Sequence, residues 1–374
     1  MANIYIVGAG LAKFGKRTES LVDVMCEAAN AAIVDSGCNE FDAIYVGSMN
    51  PEEFVGEDNL SPKVNEKLGL VPVRSSRVET ASSTGAATFE QAFLAVASGY
   101  FNCVLAIAGE KMTAVSTERA SKILAEVLSP SERNCGATMP GLAAMITRRY
   151  IYDYKMTRDA MAAVAVKNHK NGSKNKYAHF QKEITVDDYY KSKIVADPLC
   201  LYDCAPISDG AAAVVISSNK GKVRVCGIGQ GTDFVSVQDR EQLTSFNATI
   251  IAAQRAYKMS GLSPGDMDFA EIHDAFTSFE IIGVEDVGLF EKGSGWKRTL
   301  EGETAIGGHL PINPSGGLKS RGHPVGASGL AQIVEMVWQL RGEAGANQVQ
   351  AKRGITLSIG GFGDNNLVTI LEKV

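Results

Sequence analysis

The feature that most constrains this chain is an approximate internal repeat, in which the same series of strand and helix patterns occurs twice, about 220 residues apart. Each half opens with an apolar strand that runs into closely spaced glycines: Ile4–Val7 precedes Gly8–Gly10, and Val223–Cys226 precedes Gly227–Gly229. Self-similarity on this scale indicates two related α/β units. We therefore predict an α/β protein with an N-terminal half over residues 1–220 and a C-terminal half over residues 221–374.

The elements that follow these opening strands also correspond between the halves. Apolar residues at helical spacing predict a helix in each half, and each of these helices ends in a polar turn before a buried strand. A second helix rich in small residues, followed by another strand, comes later in each half. The predicted pairs are helices Ser20–Asp35 and Ala248–Met259, helices Ser82–Ser98 and Ala327–Leu340, and strands Cys103–Ala108 and Ile355–Ile359.

A different region separates the two halves, at about residues 111–207. It contains two predicted helices, Met139–Tyr154 and Arg158–Lys170, and a stretch rich in lysine and tyrosine, Lys167–Lys193. Nothing in it matches the repeat. We interpret it as a loop domain inserted into the N-terminal half, where it covers a site.

Composition excludes several classes of protein. With 45% hydrophobic and 21% charged residues, the 374-residue chain can bury a large core. A net charge of −5 and 7% aromatic residues argue against nucleic-acid binding. The longest apolar runs, such as Ala211–Ile216, are too short to cross a bilayer, and the N-terminus lacks a signal-peptide pattern. Seven scattered cysteines favour reduced thiols in a cytoplasmic protein.

The glycine pairs at the two opening strands do not complete a dinucleotide-binding motif. Leu11-Ala12-Lys13 follows Gly10, so the third glycine of the pattern is missing, and no acidic residue ends a clear second strand. We favour close backbone packing at a strand exit as the reason for these glycines. Cys200 and Cys204 likewise lack the second pair or histidine of a metal site, and we predict no metal.

Four segments of the sequence contain the candidate catalytic and binding residues. The first is a loop with five glycines and His323, over Gly316–Gly329, directly before a helix. Such a loop lets the backbone approach a ligand closely. The others are His273 at the end of a buried strand, the strand exit Ser358–Asp364, and Thr80–Ala87 at the start of an apolar helix, where a nucleophile would face the positive helix end.

Taken in order, these segments resemble the thiolase superfamily, and most closely the sterol-carrier-protein type with its archaeal and bacterial relatives. The segments are ETASSTGAATF, DCAPISDGAAAVV, HDAF, NPSGGLKSRGHPVGASG and SIGGFG. The resemblance implies a five-layered αβαβα thiolase fold with two pseudo-repeat halves and an inserted loop domain. It also implies an acyl-CoA thioester and CoA as substrates, no permanently bound cofactor, and a homodimer. Some relatives of this type add a small zinc-containing subunit with an oligonucleotide-binding fold.

The resemblance also assigns roles to residues. His323 corresponds to the base that activates the nucleophile, and His273 to a residue that helps to hold the enolate oxygen. The backbone N–H groups of Ser82 and Gly361 correspond to the donors that hold the oxyanion of an acyl-enzyme. The residues expected along the substrate channel are Cys135, Met139, Ala205, Pro206, Ser315 and Gly326.

The sequence departs from this family at the cysteines. Thiolases carry a nucleophilic cysteine where this chain has Ser82, and a second cysteine where it has Ala275 or Ser358. A serine hydroxyl is a much weaker acid than a thiol, whose ordinary pKa is about 8.5, and needs stronger help from a base. Four interpretations stay open: a serine introduced in place of the cysteine, a thiolase that uses another group such as Cys135, an aldolase-like enzyme without an acyl-enzyme, or a non-catalytic acyl-CoA-binding subunit.

Our main prediction is a thiolase-type acyltransferase that cleaves a 3-oxoacyl-CoA with CoA, or catalyses the reverse Claisen condensation. Ser82, His273 and His323 are its predicted catalytic residues. The remaining histidines and cysteines are predicted to be structural: Cys26 and Cys103 on apolar faces, Cys38 and Cys226 at turns, and His169, His179 and His309 at surface or loop positions.

Overall fold

The computed structural model describes residues 3–374. Its strands are β1 (Tyr5–Leu11), β2 (Ala43–Gly47), β3 (Arg74–Val78), β4 (Cys103–Lys111), β5 (Ile194–Ala196), β6 (Leu199–Cys200), β7 (Asp209–Ser217), β8 (Val223–Thr232), β9 (Phe269–Ile272), β10 (Arg353–Gly360) and β11 (Asn365–Lys373). Its α-helices are α1 (Leu21–Ser36), α2 (Pro51–Val55), α3 (Leu60–Lys67), α4 (Thr84–Ala97), α5 (Thr117–Ala125), α6 (Pro130–Asn134), α7 (Met139–Tyr154), α8 (Arg158–Gly172), α9 (Val186–Lys191), α10 (Asn247–Ser260), α11 (Thr277–Asp286), α12 (Gly295–Leu300), α13 (Gly317–Arg321) and α14 (Ser328–Arg341).

The strand order confirms that the two halves repeat one topology. The N-terminal half runs β3-β2-β4-β7-β1, and the C-terminal half runs β9-β10-β11-β8. In the N-terminal half, β1 pairs antiparallel with β7, β7 pairs antiparallel with β4, and β4 pairs parallel with β2. In the C-terminal half, β8 pairs antiparallel with β11, β11 pairs antiparallel with β10, and β10 pairs parallel with β9. The two sets join into one hydrogen-bonded sheet where Tyr5 and Ile6 of β1 meet Arg224 and Val223 of β8.

Helices form three layers around these strands. Helix α1 packs on β1, β7 and β4, and α10 packs on β8 and β11, so each covers an outer face. Helices α4 and α14 contact each other and also strands of both halves, which places them between the two sets of strands. The order is therefore αβαβα, as predicted. The assignment of residues 1–220 and 221–374 as separate units stays a prediction.

The two central helices approach each other through a reciprocal pair of glycines. A Cβ atom at Gly85 of α4 would lie 2.5 Å from the backbone nitrogen of Leu330, and one at Gly329 of α14 would lie 2.7 Å from the backbone nitrogen of Ala86. Neither position tolerates a side chain, because real Cβ atoms do not come so close to backbone. The first turns of α4 and α14 are thereby brought together.

The glycines of the opening strands have a second packing role. A Cβ atom at any of these glycines would lie too close to a carbonyl oxygen of the adjacent helix. This supports close backbone packing as the reason for the glycines. They lie inside β1 and β8, however, and the prediction of strand exits was wrong, because both strands continue through the glycines. The contacts join Gly8 to Ala32, Gly10 to Ala28, Gly227 to Ala256, Gly229 to Ala252 and Gly231 to Ala248.

The inserted region lies between β4 and β7, close to the predicted bounds. Helix α7 has the predicted limits and α8 extends two residues further, to Gly172. The hairpin β5–β6 and the helices α5, α6 and α9 were not predicted, because elements of two to nine residues show too little periodicity. Among residues 3–374, no helix is both long enough and apolar enough to cross a bilayer.

Two minor predictions were wrong. His169 lies in α8 and is only 3% exposed, so it is a core residue, whereas we had expected a surface or loop position. Its sequence neighbours are polar, which hid the buried face of the helix. Cys226 lies inside β8, because the strand continues past the predicted end to Thr232.

Replacement of Gly329 by alanine tests the reciprocal glycine contact. The added methyl group has no room beside Ala86, and we expect the free energy of unfolding to fall by about 1–3 kcal/mol, the usual cost of overpacking. The matched control is Gly265→Ala, where a Cβ atom would have its nearest neighbour 4.0 Å away. We expect the control to change stability by less than about 0.5 kcal/mol. Equal effects in urea unfolding would contradict this role for Gly329.

Candidate active site

Two histidines that are 50 residues apart in the C-terminal half lie next to each other. His273 directly follows β9, and His323 follows α13 on the loop that leads into α14. Their ring centroids are 5.1 Å apart, and the ring planes are nearly perpendicular, at 88°. His273 is buried, whereas His323 retains part of its surface. The structure therefore brings together the two histidines that the sequence singled out.

The hydrogen bonds of His323 determine which ring nitrogen carries the proton. Its Nδ1 lies 2.8 Å from the hydroxyl oxygen of Ser328. That hydroxyl also lies 2.9 Å from the carbonyl oxygen of Pro324, and when it donates its only proton there it accepts from the imidazole. We assign this arrangement to His323, so that Nδ1 carries the hydrogen and Nε2 carries a free lone pair that can accept a proton.

His273 has the opposite tautomer. Its Nδ1 accepts a hydrogen bond from the backbone N–H of Ile359, at 3.2 Å. Because Nδ1 must then carry the lone pair, the hydrogen of the neutral ring is on Nε2. Nε2 of His273 can therefore donate a hydrogen bond, whereas Nε2 of His323 can accept one.

Both imidazoles are neutral at physiological pH. Burial lowers the pKa of His323 to about 3, with a smaller contribution from the nearby Arg321 guanidinium. Burial also lowers the pKa of His273 well below its ordinary value, helped by His323 and Arg321. The tautomer assignments above apply to these neutral forms.

Ser82 lies at the start of the central helix of the N-terminal half. The residue before it, Ala81, has a φ of 52°, a left-handed conformation that is strained for a residue with a side chain. This turn ends the segment before the helix, so α4 begins at Thr84, two residues after the predicted start. Ser82 is 7% exposed, and its hydroxyl has no hydrogen-bond partner among residues 3–374.

Two backbone N–H groups near this point lack acceptors within the described chain. Ser83 and Thr84 donate to the carbonyls of Thr80 and Ala81, but the N–H of Ser82 has no acceptor among residues 3–374. The N–H of Gly361 likewise has none in that part of the chain. Gly361 has a φ of +58°, and a Cβ atom there would lie 2.2 Å from Asp364, so only glycine fits this turn.

The helix crossing relates Ser82 to the histidine loop. A Cβ atom at Gly85 would lie 3.0 Å from the carbonyl oxygen of Gly326 and 3.1 Å from that of Ala327. The first turn of α4 is thus in contact with the loop that carries His323. Ser82 lies three residues before Gly85, and His323 lies three residues before Gly326. The contact between the helices therefore joins the segment of Ser82 to the segment of His323.

Buried carboxylates support the loops of the site, and the sequence did not reveal them. Glu271 accepts from the backbone N–H and hydroxyl of Ser315, at 3.0 and 2.6 Å, and Glu110 accepts from the backbone N–H of Met49. Burial raises the pKa of both Glu271 and Glu110 to about 7. Both lie near the C-terminal ends of buried strands, Glu271 in β9 and Glu110 in β4, and this position was the only signal in the sequence.

The residues predicted to line the substrate channel occupy different environments. Met139, Ala205 and Pro206 are half-buried, and Cys135 is exposed at the end of α6. Ser315 is buried, and its backbone N–H and its hydroxyl both donate to Glu271. Gly326 is buried against Glu110, where a Cβ atom would lie 2.5 Å from the carboxylate. A role for these six residues in binding substrate stays a prediction.

Apolar side chains flank the histidines. Phe276, three residues after His273, packs on Phe279, whose ring also meets Phe246 and Phe362, with centroids 4.9–5.8 Å apart. Phe362 directly follows Gly361. Met139 and Cys204 pack against the same core cluster. The segments that carry His273 and Gly361 therefore border an apolar cluster, and apolar surroundings strengthen electrostatic interactions with a bound ligand.

Comparisons with known proteins agree with both halves of the fold. The family model for the thiolase N-terminal domain matches residues 4–220, and a model described as thiolase C-terminal domain-like matches residues 229–373. An acetyl-CoA acetyltransferase of Methanothermobacter thermautotrophicus is 42% identical, covering 100% of both chains. A benzoylsuccinyl-CoA thiolase subunit, BbsB, of Thauera aromatica is 34% identical, covering 93% of this chain and 91% of the relative.

Solved structures extend the comparison. The Ltp2-ChsH2(DUF35) aldolase has a TM-score of 0.84 and 26% identity, covering 100% of this chain and 98% of that chain. Human mitochondrial 3-ketoacyl-CoA thiolase in complex with CoA has a TM-score of 0.77 and 16% identity, again with 100% and 98% coverage, and it supports the fold alone.

Ser328 can be tested as the residue that fixes the tautomer of His323. We expect Ser328→Ala to leave Nδ1 without its acceptor, so that both neutral tautomers become populated, and to cost about 1 kcal/mol of unfolding free energy. Nitrogen NMR of labelled histidine reports the tautomer directly. Ser328→Thr, which keeps the hydroxyl, is the control and should retain one tautomer. An unchanged His323 spectrum in Ser328→Ala would contradict the assignment.

The buried His273 also predicts a pH dependence of stability. Its pKa is lowered in the folded state, so the unfolded state binds more protons once the pH falls below the ordinary value of about 6.5. Stability should therefore decline as the pH falls from 6.5, by up to about 1.4 kcal/mol per pH unit for this one group. In His273→Gln, urea unfolding between about pH 7 and 5 should show a smaller decline. Parallel curves for the two proteins would refute this contribution.

Proposed function

The chain belongs to the thiolase family of acyltransferases, and on that basis we propose that it cleaves a 3-oxoacyl-CoA with CoA or catalyses the reverse Claisen condensation. The observation that carries the proposal is the opposite tautomers of the two adjacent histidines. One supplies a lone pair and the other a hydrogen-bond donor, on rings whose centroids are 5.1 Å apart. Carbon–carbon chemistry next to a thioester needs both, because a proton moves while negative charge develops on the thioester oxygen.

His323 serves as the base in this proposal. Its Nε2 lone pair accepts the proton of the attacking group, and the Ser328 hydroxyl holds the ring in that tautomer. His273 serves as the donor, and its Nε2–H binds the oxygen of the enolate that forms when the bond between the α and β carbons breaks. Because His273 is neutral and buried, this hydrogen bond acts in a medium of low polarity, where it is stronger than in water.

The N–H groups of Ser82 and Gly361 form a second oxyanion site in the proposal. Both lack acceptors among residues 3–374, and Ser82 carries the hydroxyl at the position of the nucleophile. Such donors bind the oxygen of a tetrahedral intermediate, and the loss of one typically costs a factor of about 10²–10³ in rate. The proton taken up by His323 would pass to the enolate carbon, which releases the shorter acyl-CoA. The acyl group would be carried as an ester on Ser82 and then transferred to the sulfur of CoA, while the thiol proton returns through His323 to the serine oxygen.

Replacement of Ser82 tests the acyl-enzyme. We expect Ser82→Cys to raise thiolysis of acetoacetyl-CoA by at least about 100-fold, because a thiol is far easier to deprotonate than a hydroxyl. Intact mass should show one acyl group on Ser82→Cys and none on Ser82→Ala. The assay should also include a longer and an aromatic 3-oxoacyl-CoA, since the acyl preference is not specified by the residues above.

Two controls separate the site from its alternatives. Cys135→Ser should leave turnover unchanged, whereas loss of acylation in that variant would identify Cys135 as the nucleophile. His323→Ala should abolish turnover in both the wild type and Ser82→Cys. Full turnover in Ser82→Ala would rule out an acyl-enzyme on Ser82, and full turnover in His323→Ala would rule out the assigned base.

A second candidate is aldolase-type cleavage of a 3-hydroxyacyl-CoA. It is favoured by the hydroxyl of Ser82 in place of a thiol and by the similarity to an aldolase at 26% identity. Nε2 of His323 would remove the proton of the 3-hydroxyl, and the carbon–carbon bond would break to give an aldehyde or ketone. Nε2–H of His273 would hold the enolate, which becomes the shorter acyl-CoA after protonation. This route needs no covalent intermediate.

The two candidates differ in their products and in their dependence on Ser82. The aldolase route releases a carbonyl compound from a 3-hydroxyacyl-CoA without consuming free CoA, and it should survive Ser82→Ala. The thiolase route consumes one CoA per cleavage and should not. Inactivity on both substrate classes, with binding of acyl-CoA retained, would leave the binding-subunit interpretation.

We also propose a cytoplasmic homodimer that can bind a small zinc-containing subunit with an oligonucleotide-binding fold. The open outer edge of β3 supports a self-association surface, and the name of the Ltp2-ChsH2(DUF35) aldolase supports a second subunit. Light scattering of the purified chain tests the dimer. Co-purification from the native source, followed by zinc analysis of any small partner, tests the second subunit.

A further inference from the structure

Lys319 is a buried amine that the proposed mechanism does not use. It lies in α13, four residues before His323, and is 2% exposed. Its Nζ takes part in no hydrogen bond and in no ion pair within 4.0 Å among residues 3–374, and only more distant charges act on it. A buried charge without a partner is costly, and lysine is rarely buried in that state.

The carboxylates nearest to Lys319 are engaged elsewhere. Asp274 accepts from the backbone N–H groups of Leu318 and Lys319 and from the side chain of Asn168. Asp203 accepts from Tyr189, Thr277 and the backbone N–H of Cys200. Burial lowers the pKa of Lys319 to about 8, and these acids only partly offset the effect. The hydrogen bonds of both carboxylates thus go to groups other than this amine.

Two aromatic rings lie near the amine, and together with His169 they form a group that we call the aromatic enclosure. Nζ lies 5.8 Å from the ring centroids of both Phe180 and Tyr202. The ring of His169 packs on the same two side chains, at 5.6 and 5.5 Å. Nδ1 of His169 contacts the carbonyl of Lys182, and its buried Nε2 has no partner among residues 3–374. Two unpaired polar groups in one aromatic enclosure indicate a site whose hydrogen bonds are completed by a ligand and its water.

This enclosure adjoins the candidate active site. Helix α13 is held on Asp274, the residue after His273, and leads directly into His323. Cys204 pairs with Phe276 and Ile207 pairs with His323, so the intervening segment passes both histidines. Ala205 and Pro206, two residues predicted to contact substrate, belong to that segment. Lys319 therefore lies beside the segment that we expect to guide the acyl chain.

We propose that Lys319 binds a carboxylate at the far end of the acyl group, so that the preferred ligands are CoA thioesters of dicarboxylic acids. This inference rests on the proposed function for the identity of the ligand as an acyl-CoA. A single ammonium between aromatic rings can neutralise one carboxylate. A phosphate dianion or the diphosphate of CoA would bring two or more charges to one cation, which leaves buried charge unpaired.

Binding of matched thioesters tests the proposal without requiring turnover. The pairs are succinyl-CoA with butyryl-CoA, glutaryl-CoA with valeryl-CoA, and adipyl-CoA with hexanoyl-CoA, each of equal chain length. We expect the wild type to bind the carboxylated member at least about 10-fold more tightly in one or more pairs, by calorimetry. Lys319→Met should abolish that preference and leave the Kd of the uncarboxylated thioesters within about twofold. Lys319→Arg, which keeps the charge, should retain part of it.

Three controls keep the outcome decisive. Lys176→Met removes an exposed lysine of the same region and should keep the preference. If Lys319→Met does not fold, the wild type and Lys319→Arg still decide, since the absence of a carboxylate preference at every length overturns the proposal. A preference that persists in folded Lys319→Met also overturns it. So does weaker binding of CoA, but not of dephospho-CoA, by Lys319→Met, because that result would assign Lys319 to the phosphate. Failure of the thiolysis assays with this preference intact would refute the proposed reaction alone.

Discussion

The reciprocal contact between Gly85 and Gly329 is the constraint on which the rest of the structure depends. It lets the two central helices touch backbone to backbone at their first turns, and each half of the repeat contributes one partner. Because Ser82 precedes one helix and His323 precedes the other, the same contact joins the two segments that carry the site. The two halves of the duplicated fold thus contribute residues to one candidate site, at the point where the halves meet.

Buried polar groups then give this centre its chemistry. The two histidines are alike in the sequence, yet one accepts from the backbone of β10 and the other donates to a serine of α14. These bonds give them opposite tautomers and therefore complementary roles. Buried Glu271 and Glu110 hold neighbouring loops in place through Ser315 and Met49. Lys319 differs from these groups, because its charge has no such partner within the described chain.

Much of the fold could be predicted because its signals are local and repeated. The α7 limits were predicted correctly, and the central helices began within two residues of their predicted starts. Short elements such as β5–β6 could not be predicted, because their stability comes from packing rather than from periodicity. The burial of His169 was missed for a related reason, since polar neighbours in α8 conceal a face that becomes internal only when α13 packs against it.

The sequence by itself determined the duplicated α/β architecture, the family resemblance and the identity of the two histidines, because strand and helix periods and motif spacing are properties of the chain alone. It also determined that Ser82 stands where a thiol is usual. Only the tertiary structure decided which nitrogen of each histidine is free, which backbone N–H groups lack acceptors and which buried lysine has no ion pair. Those properties depend on hydrogen-bond partners that lie from five residues to more than eighty residues away along the chain, and folding alone brings the distant ones into contact.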